Sequence, residues 1–179
     1  VVYKTFDRGA TWQSIGYPIL PDDYYITDVK FINHDVGYVS GTRPFVAILA
    51  YRTTDGGQTW TALSSLPSHY VDFVDANHGW LATIGGTGFR TTDGGTKWTP
   101  MTFPNNGSSP TISHMDFVSQ NVGWAVGWYG YAARTSNGGA TWTLQNISTP
   151  EEILLGLSAL SETEAYAVGI HQAPTSETA

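Results

Sequence analysis

A chain of 179 residues, 41% hydrophobic and 13% aromatic, is long enough to bury a core as one domain or at most two, and its composition excludes intrinsic disorder. A formal net charge of −7 excludes general binding to nucleic acid or to an anionic membrane, because both need a basic surface. Without cysteine there is no disulfide framework and no thiolate ligand or nucleophile, and no apolar run approaches the ~18 residues that cross a bilayer as a helix.

Short alternating segments rich in Val, Tyr, Trp and Thr, set off by turn residues, predict strands throughout, and no stretch sustains a 3.6-residue period. Residues 2–5 and 11–15 read as strands on either side of a tight turn, and 17–25, YPILPDDYY, as a proline-bearing loop. A four-strand unit is expected at 26–32, 36–41, 46–53 and 59–63, a second over 70–102 and a third over 111–146. Two more strands are expected at 153–160 and 164–170. Sixteen strands make four blades of four, an all-β β-propeller. The terminal strand pairs either complete one blade of a closed four-blade ring or belong to an arc of a larger propeller. The folded domain is expected to span 1–170, and 171–179, HQAPTSETA, to be a flexible tail or the start of a linker. A beginning inside a repeat, with neither initiator Met nor signal peptide, suggests a processed or trimmed piece.

The strands are organised by an eight-residue motif that occurs four times: TFDRGATW at 5–12, TTDGGQTW at 53–60, TTDGGTKW at 91–98 and TSNGGATW at 135–142. Its closing residues Trp12, Trp60, Trp98 and Trp142 lie 48, 38 and 44 residues apart, the signature of stacked supersecondary units. Asp7, Asp55, Asp93 and Asn137 can fold back onto turn amides, the glycines supply positive φ, and each Trp can pin its hairpin. A second column, Gly37-Tyr38, Gly79-Trp80, Gly123-Trp124 and Ala165-Tyr166, is spaced 42, 44 and 42, with Phe31, Phe73 and Phe117 six residues before its first three members.

The motif resembles the Asp-box, or bacterial neuraminidase repeat, and its pairing with F-x5-G-(W/Y)-x-x-G is similar to the photosystem II stability/assembly factor family of propellers. The matching residues here are FVSQNVGWAVG at 117–127 followed by RTSNGGATW at 134–142. The resemblance covers about residues 2–170 and implies a propeller with the Asp-boxes on the blade periphery, away from the face where ligands bind. Asp-boxes also occur in sialidases, xyloglucan-active glycosidases and sortilin-type receptors, so the resemblance specifies architecture more closely than function. Lys97 and Asn137 depart from the expected Thr and Asp: the first should lose a side-chain hydrogen bond, and the second should keep the turn.

Each Asp-box follows a cation, Lys4, Arg52, Arg90 or Arg134, so half of the eight cations fall in one column. Such groups either clamp the carboxylates of a partner or sit between blades on carbonyls and neighbouring acids. Assembly-factor relatives carry a comparable arginine patch with a proposed partner-binding role. His69 with Asp72 and His114 with Asp116, on first strands, offer a metal site or an acid/base pair on one reading. Hydrogen-bonded strand residues are the plainer alternative. Among aromatics outside the repeat columns, Tyr17, Tyr24, Tyr25, Trp128, Tyr129 and Tyr131 fall in connecting loops, where they either meet a ligand or pack on the core. Asn106 and Asn146 begin glycosylation sequons.

The glutamates lie only at 151, 152, 162, 164 and 177, so the Tyr/Glu pair that sialidases share is not visible, and no phosphate loop, serine elbow or zinc motif occurs. The resulting expectation is a non-enzymatic propeller that binds a protein or glycan, needs no cofactor or metal, and acts alone, with further domains or with copies of itself. The expected location is extracellular or periplasmic, with the thylakoid lumen as the alternative. A glycoside hydrolase fragment using Asp72 and Asp116 and a structural subunit of an extracellular assembly are the competing expectations.

Overall fold

The computed structural model describes residues 2–15, 25–43, 46–64, 66, 68–83, 85–107, 109–147 and 152–171. These form β1 (Tyr3–Lys4), β2 (Gln13–Ser14), β3 (Tyr25–Phe31), β4 (Gly37–Arg43), β5 (Val46–Thr53), β6 (Thr61–Ser64), β7 (Tyr70–Phe73) and β8 (Gly79–Ala82). The chain continues through β9 (Thr87–Thr91), β10 (Thr99–Thr102), β11 (Ile112–Phe117), β12 (Gly123–Gly127), β13 (Ala132–Thr135), β14 (Thr143–Leu144), β15 (Glu152–Ala159) and β16 (Ala165–His171). No helix occurs among the described residues. The sheets β3–β6, β7–β10 and β11–β14 are four-stranded with neighbours in chain order, and β1–β2 and β15–β16 are two-stranded. The meander is the one that short turns between successive antiparallel strands impose. The tail from 172 and the expected loop up to residue 24 lie outside the described residues.

The chain divides into two compact units, residues 1–81 with 91–98 and residues 82–90 with 99–179. In the first unit, Phe31 and Trp60 meet edge to face at 6.2 Å, and Phe73 and Trp98 do so at 6.3 Å. Tyr38 is fully buried and stacks on Phe73 with ring centroids 3.5 Å apart and planes 2° apart. In the second unit, Phe117 meets Trp142 edge to face at 5.8 Å, and Phe103 leans on the same indole at 5.0 Å. The glycine of the second column exists for the ring beneath it. A Cβ on Gly37, Gly79 or Gly123 would stand 2.6, 2.3 or 2.4 Å from an atom of Phe31, Phe73 or Phe117. Position 159, six residues before Ala165, holds Ala159, so there the ring and the need for glycine disappear together.

Candidate ligand-binding surfaces

The Asp-boxes are closed hydrogen-bond circuits. Thr53 Oγ1 donates to Asp55 Oδ1 at 2.8 Å and accepts from Gly57 N at 2.9 Å. Asp55 then accepts the Thr59 amide at 2.9 Å and the Thr59 hydroxyl at 2.5 Å. Thr5, Asp7 and Thr11 repeat this arrangement. The threonine hydroxyl bond, followed by the amide bond, holds the Asp7 and Asp55 pKa values at about 2. At Asp93 the Lys97 amide donates at 2.8 Å without a hydroxyl beside it, and that amide is the main cause of the lowered Asp93 pKa. Asn137 accepts the Thr141 amide and turns its own Nδ2 to the Thr141 hydroxyl, both at 2.9 Å. These polar groups are engaged within their own turns.

Each complete Asp-box is tied to the turn between the first and second strands of its blade. Gly56 N donates to Asp35 O at 2.9 Å, Gly94 N to Asn77 O at 2.9 Å and Gly138 N to Asn121 O at 2.8 Å. These glycines have φ of 72°, 70° and 65°, and a Cβ on Gly94 or Gly138 would lie 2.8 or 2.7 Å from a carbonyl of the same turn. At the first box Arg8 takes that position with φ 60°.

The cations reach toward the turns of the following blade. Lys4 Nζ donates to His34 O at 3.3 Å, and Arg90 Nη1 to Asn137 O and Gly138 O at 3.2 and 3.4 Å. Arg134 Nη2 donates to Glu162 O at 2.6 Å while its guanidinium lies 5.3 Å from the Trp124 ring centroid. Arg52 lies 5.9 Å from the Tyr38 centroid and lines a cleft of about 350 Å³ with Thr54, Thr59, Thr61, Gly94 and Thr96.

The paired acids of the first strands also have structural partners. Asp72 is buried, with Lys30 Nζ 2.8 Å from its Oδ1. Asp116 Oδ2 accepts Ala159 N at 2.7 Å. Burial lowers the His69 pKa, which favours the neutral ring. Among the described residues no three His, Cys, Asp or Glu side chains converge on a possible metal position.

The loop between β12 and β13 carries an exposed aromatic pair. Trp128 and Tyr129 are 40% and 52% exposed, with centroids 6.3 Å apart and planes at 65°. Tyr129 has φ 57°, a left-handed conformation that side chains other than Gly, Asn and Asp seldom adopt. Trp128 N donates to Thr111 O at 3.0 Å, Gly130 N to Glu152 O at 2.7 Å and Asn106 Nδ2 to Tyr129 O at 3.4 Å, which brace the loop from both sides.

Residues 51–62, which hold the second box, match the BNR/Asp-box repeat model. The chain carries Asp-box repeats and shares the blade fold of β-propellers. A structure of YCF48 bound to D1 peptide superposes with a TM-score of 0.62 at 23% identity, over 75% of this chain and 43% of that one. An ancestral GH74 enzyme superposes with a TM-score of 0.67 at 20% identity, over 93% of this chain and 24% of that one. The vacuolar protein sorting/targeting protein 10 of Kluyveromyces lactis is 32% identical over 82 residues, 41% of this chain and 5% of that protein. The propeller chain thus spans less than half the length of each. The likeness to the photosystem II stability/assembly factor-like propellers is one of repeat and fold.

Two expectations for individual side chains of the Asp-box propeller need correction. Tyr131 is 1% exposed, and its hydroxyl donates to Pro104 O at 3.2 Å, so it packs inward and offers no surface to a ligand. Trp12 does not pin a buried hairpin, since it is 61% exposed and, among the described residues, β1–β2 has no further strand in its sheet. Tyr25 is exposed, and Tyr17 and Tyr24 lie outside the described residues. Sequence reasoning missed the turn column Asn33, Asp75, Ser119 and Ser161, whose side-chain oxygens accept amides two or three residues ahead. Its signal was available as an Asn, Asp or Ser two residues after Phe31, Phe73, Phe117 and Ala159.

Proposed function

We propose that this Asp-box propeller is a non-catalytic binding module of an exported protein, serving as a scaffold for a protein or glycan ligand. The observation that carries the reading is the Trp128–Tyr129 pair: two exposed rings on a loop whose left-handed residue is held by hydrogen bonds from adjoining loops. Backbone strain of this kind persists only where the surroundings enforce it, and it clusters at functional sites. Rings fixed before binding lose little entropy when a ligand covers them.

A peptide ligand draws support from YCF48, whose structure holds a D1 peptide, and a glycan from the GH74 enzymes that share the fold. Arg52 adds a guanidinium in an open, threonine-lined cleft suited to a carboxylate, and the rest of the cation column is part of the same proposal. The engagement of Asp72 by Lys30 and of Asp116 by a backbone amide supports the non-catalytic reading. Extracellular or periplasmic placement, with the thylakoid lumen as the alternative, belongs to the proposal too.

Peptide and glycan arrays probed with the unmodified chain and with W128A/Y129A test it. Loss of about tenfold or more in affinity on either array bears the reading out and names the ligand class. Undiminished binding by the variant overturns it. Hydrolysis of xyloglucan that D116N abolishes would replace the reading with a hydrolase. A folded R52Q/R90Q/R134Q variant with full affinity would remove the cation column from the site.

A further inference from the structure

The chain contains two Asn-Gly steps, Asn106-Gly107 and Asn137-Gly138. This dipeptide is chemically labile, because glycine has no side chain to keep its amide nitrogen away from the preceding carboxamide carbon. The two steps sit in opposite surroundings. Gly138 is buried, its N–H donates to Asn121 O at 2.8 Å, and a Cβ on it would lie 2.7 Å from Gln120 O. The Asn137 carboxamide is held at both ends, by the Thr141 amide on Oδ1 and the Thr141 hydroxyl on Nδ2, both at 2.9 Å. Neither member of that step can turn toward the other without opening the Asp-box.

Asn106 and Gly107 are both exposed, and a Cβ on Gly107 would meet nothing within 4 Å. Gly107 N donates to Asn105 Oδ1 at 2.6 Å, but Asn105 is itself exposed, so water replaces that bond at little cost. Asn106 Nδ2 donates to Tyr129 O at 3.4 Å, a long bond that restrains the carboxamide weakly. The labile step thus lies against the loop that presents Trp128 and Tyr129.

We propose that Asn106 is a modification site, which deamidates through its own backbone and thereby loosens the Trp128–Tyr129 loop. The Gly107 amide nitrogen gives up its proton and attacks Asn106 Cγ. A Cγ–N bond forms, the Cγ–Nδ2 bond breaks, and Nδ2 takes up that proton and leaves as ammonia. Water then opens the cyclic imide at either carbonyl. One product is aspartate, and the other is isoaspartate, whose main chain runs through Cβ. Water is the only co-reactant. Either product puts a carboxylate where the Asn106 amide faced the Tyr129 carbonyl, so a donor is replaced by a charge that repels that oxygen. Tyr129 holds φ 57°, a strained conformation that persists only while its surroundings enforce it. The braces from Trp128 N to Thr111 O and from Gly130 N to Glu152 O then hold the loop with one partner fewer. A fall in ligand affinity on deamidation rests on the binding role proposed for this pair, whereas the chemistry and the loosening do not.

Ageing of the folded protein in warm, mildly alkaline buffer tests the site. Peptide mapping should find isoaspartate accumulating at 106 about tenfold or more faster than at 137, because Asn137 reacts only through local opening of its turn. In urea the two sites should convert at similar rates. Hydrogen exchange at the Trp128 and Gly130 amides should quicken about threefold or more in the aged protein and in N106D. It should keep its starting rate in aged N106Q, whose longer side chain cyclises slowly. Both measurements are made without any ligand, so their outcome is separate from whether the loop binds one. Conversion at 137 that matches 106 in the folded protein, or no isoaspartate at 106, overturns the site. Loop amides that exchange in N106D as slowly as in the unmodified chain overturn its consequence.

Discussion

Replacing Gly79 with Ala tests the packing rule that links the two repeat columns. The added Cβ would lie 2.3 Å from Phe73 Cε1, well inside contact distance. The ring cannot retreat easily, because it is fully buried, stacked on Tyr38 at 3.5 Å and edge-on to Trp98 at 6.3 Å. Gly79 is not among the residues of positive φ, so the cost of G79A is steric rather than conformational. Overpacking a rigid site of this kind costs about 2–3 kcal/mol. F73A alone should cost about 3–5 kcal/mol through lost burial and a cavity. In F73A/G79A the new methyl enters the vacated space, so the double variant should be about 1–2 kcal/mol more stable than the sum of the single losses requires. The chain already carries this combination at Ala159 and Ala165. Urea unfolding followed by tryptophan fluorescence measures all four corners of the cycle. Additivity within about 0.3 kcal/mol, or an unperturbed G79A, would refute the reasoning.

Acid should weaken the Asp-boxes in a defined window. Asp7 and Asp55 have folded pKa values near 2 against an ordinary 3.8, so their contribution is complete above the ordinary value and is lost as pH falls toward 2. D55N should flatten the decline in melting temperature between pH 5 and 2, and an unchanged slope would count against the hydroxyl and amide bonds as its cause. At Tyr129 the left-handed backbone favours glycine, so Y129G should raise stability by about 1 kcal/mol while lowering affinity for the ligand, as paired melting and binding measurements would show. R134Q loses the 2.6 Å bond to Glu162 O and the contact with Trp124, and should cost about 1–2 kcal/mol in chemical denaturation. A neutral result there would mean that this clamp adds nothing to stability.

The Asp-box was legible because everything it needs lies within eight residues. Thr53, Asp55, Gly57 and Thr59 satisfy one another, and the turn follows from their order. The Phe and Gly columns were equally legible as a period, although not as a contact: only the structure shows the ring of Phe73 lying over Gly79. The turn at Asn33, Asp75, Ser119 and Ser161 was written just as locally, and was missed because one side-chain function is distributed among three residue types.

Sequence alone determined the all-β class, the blade motif and the place of every Asp-box turn, because short-range hydrogen bonds and a repeating period belong to neighbouring residues. Tertiary structure decided the fate of individual side chains. It sent Arg90 to carbonyls 47 and 48 residues away and turned Tyr131 inward while leaving Trp128 and Tyr129 exposed. The same residue type in the same column can be core, clamp or surface, because burial depends on which strands lie alongside it, and those neighbours are remote in the chain.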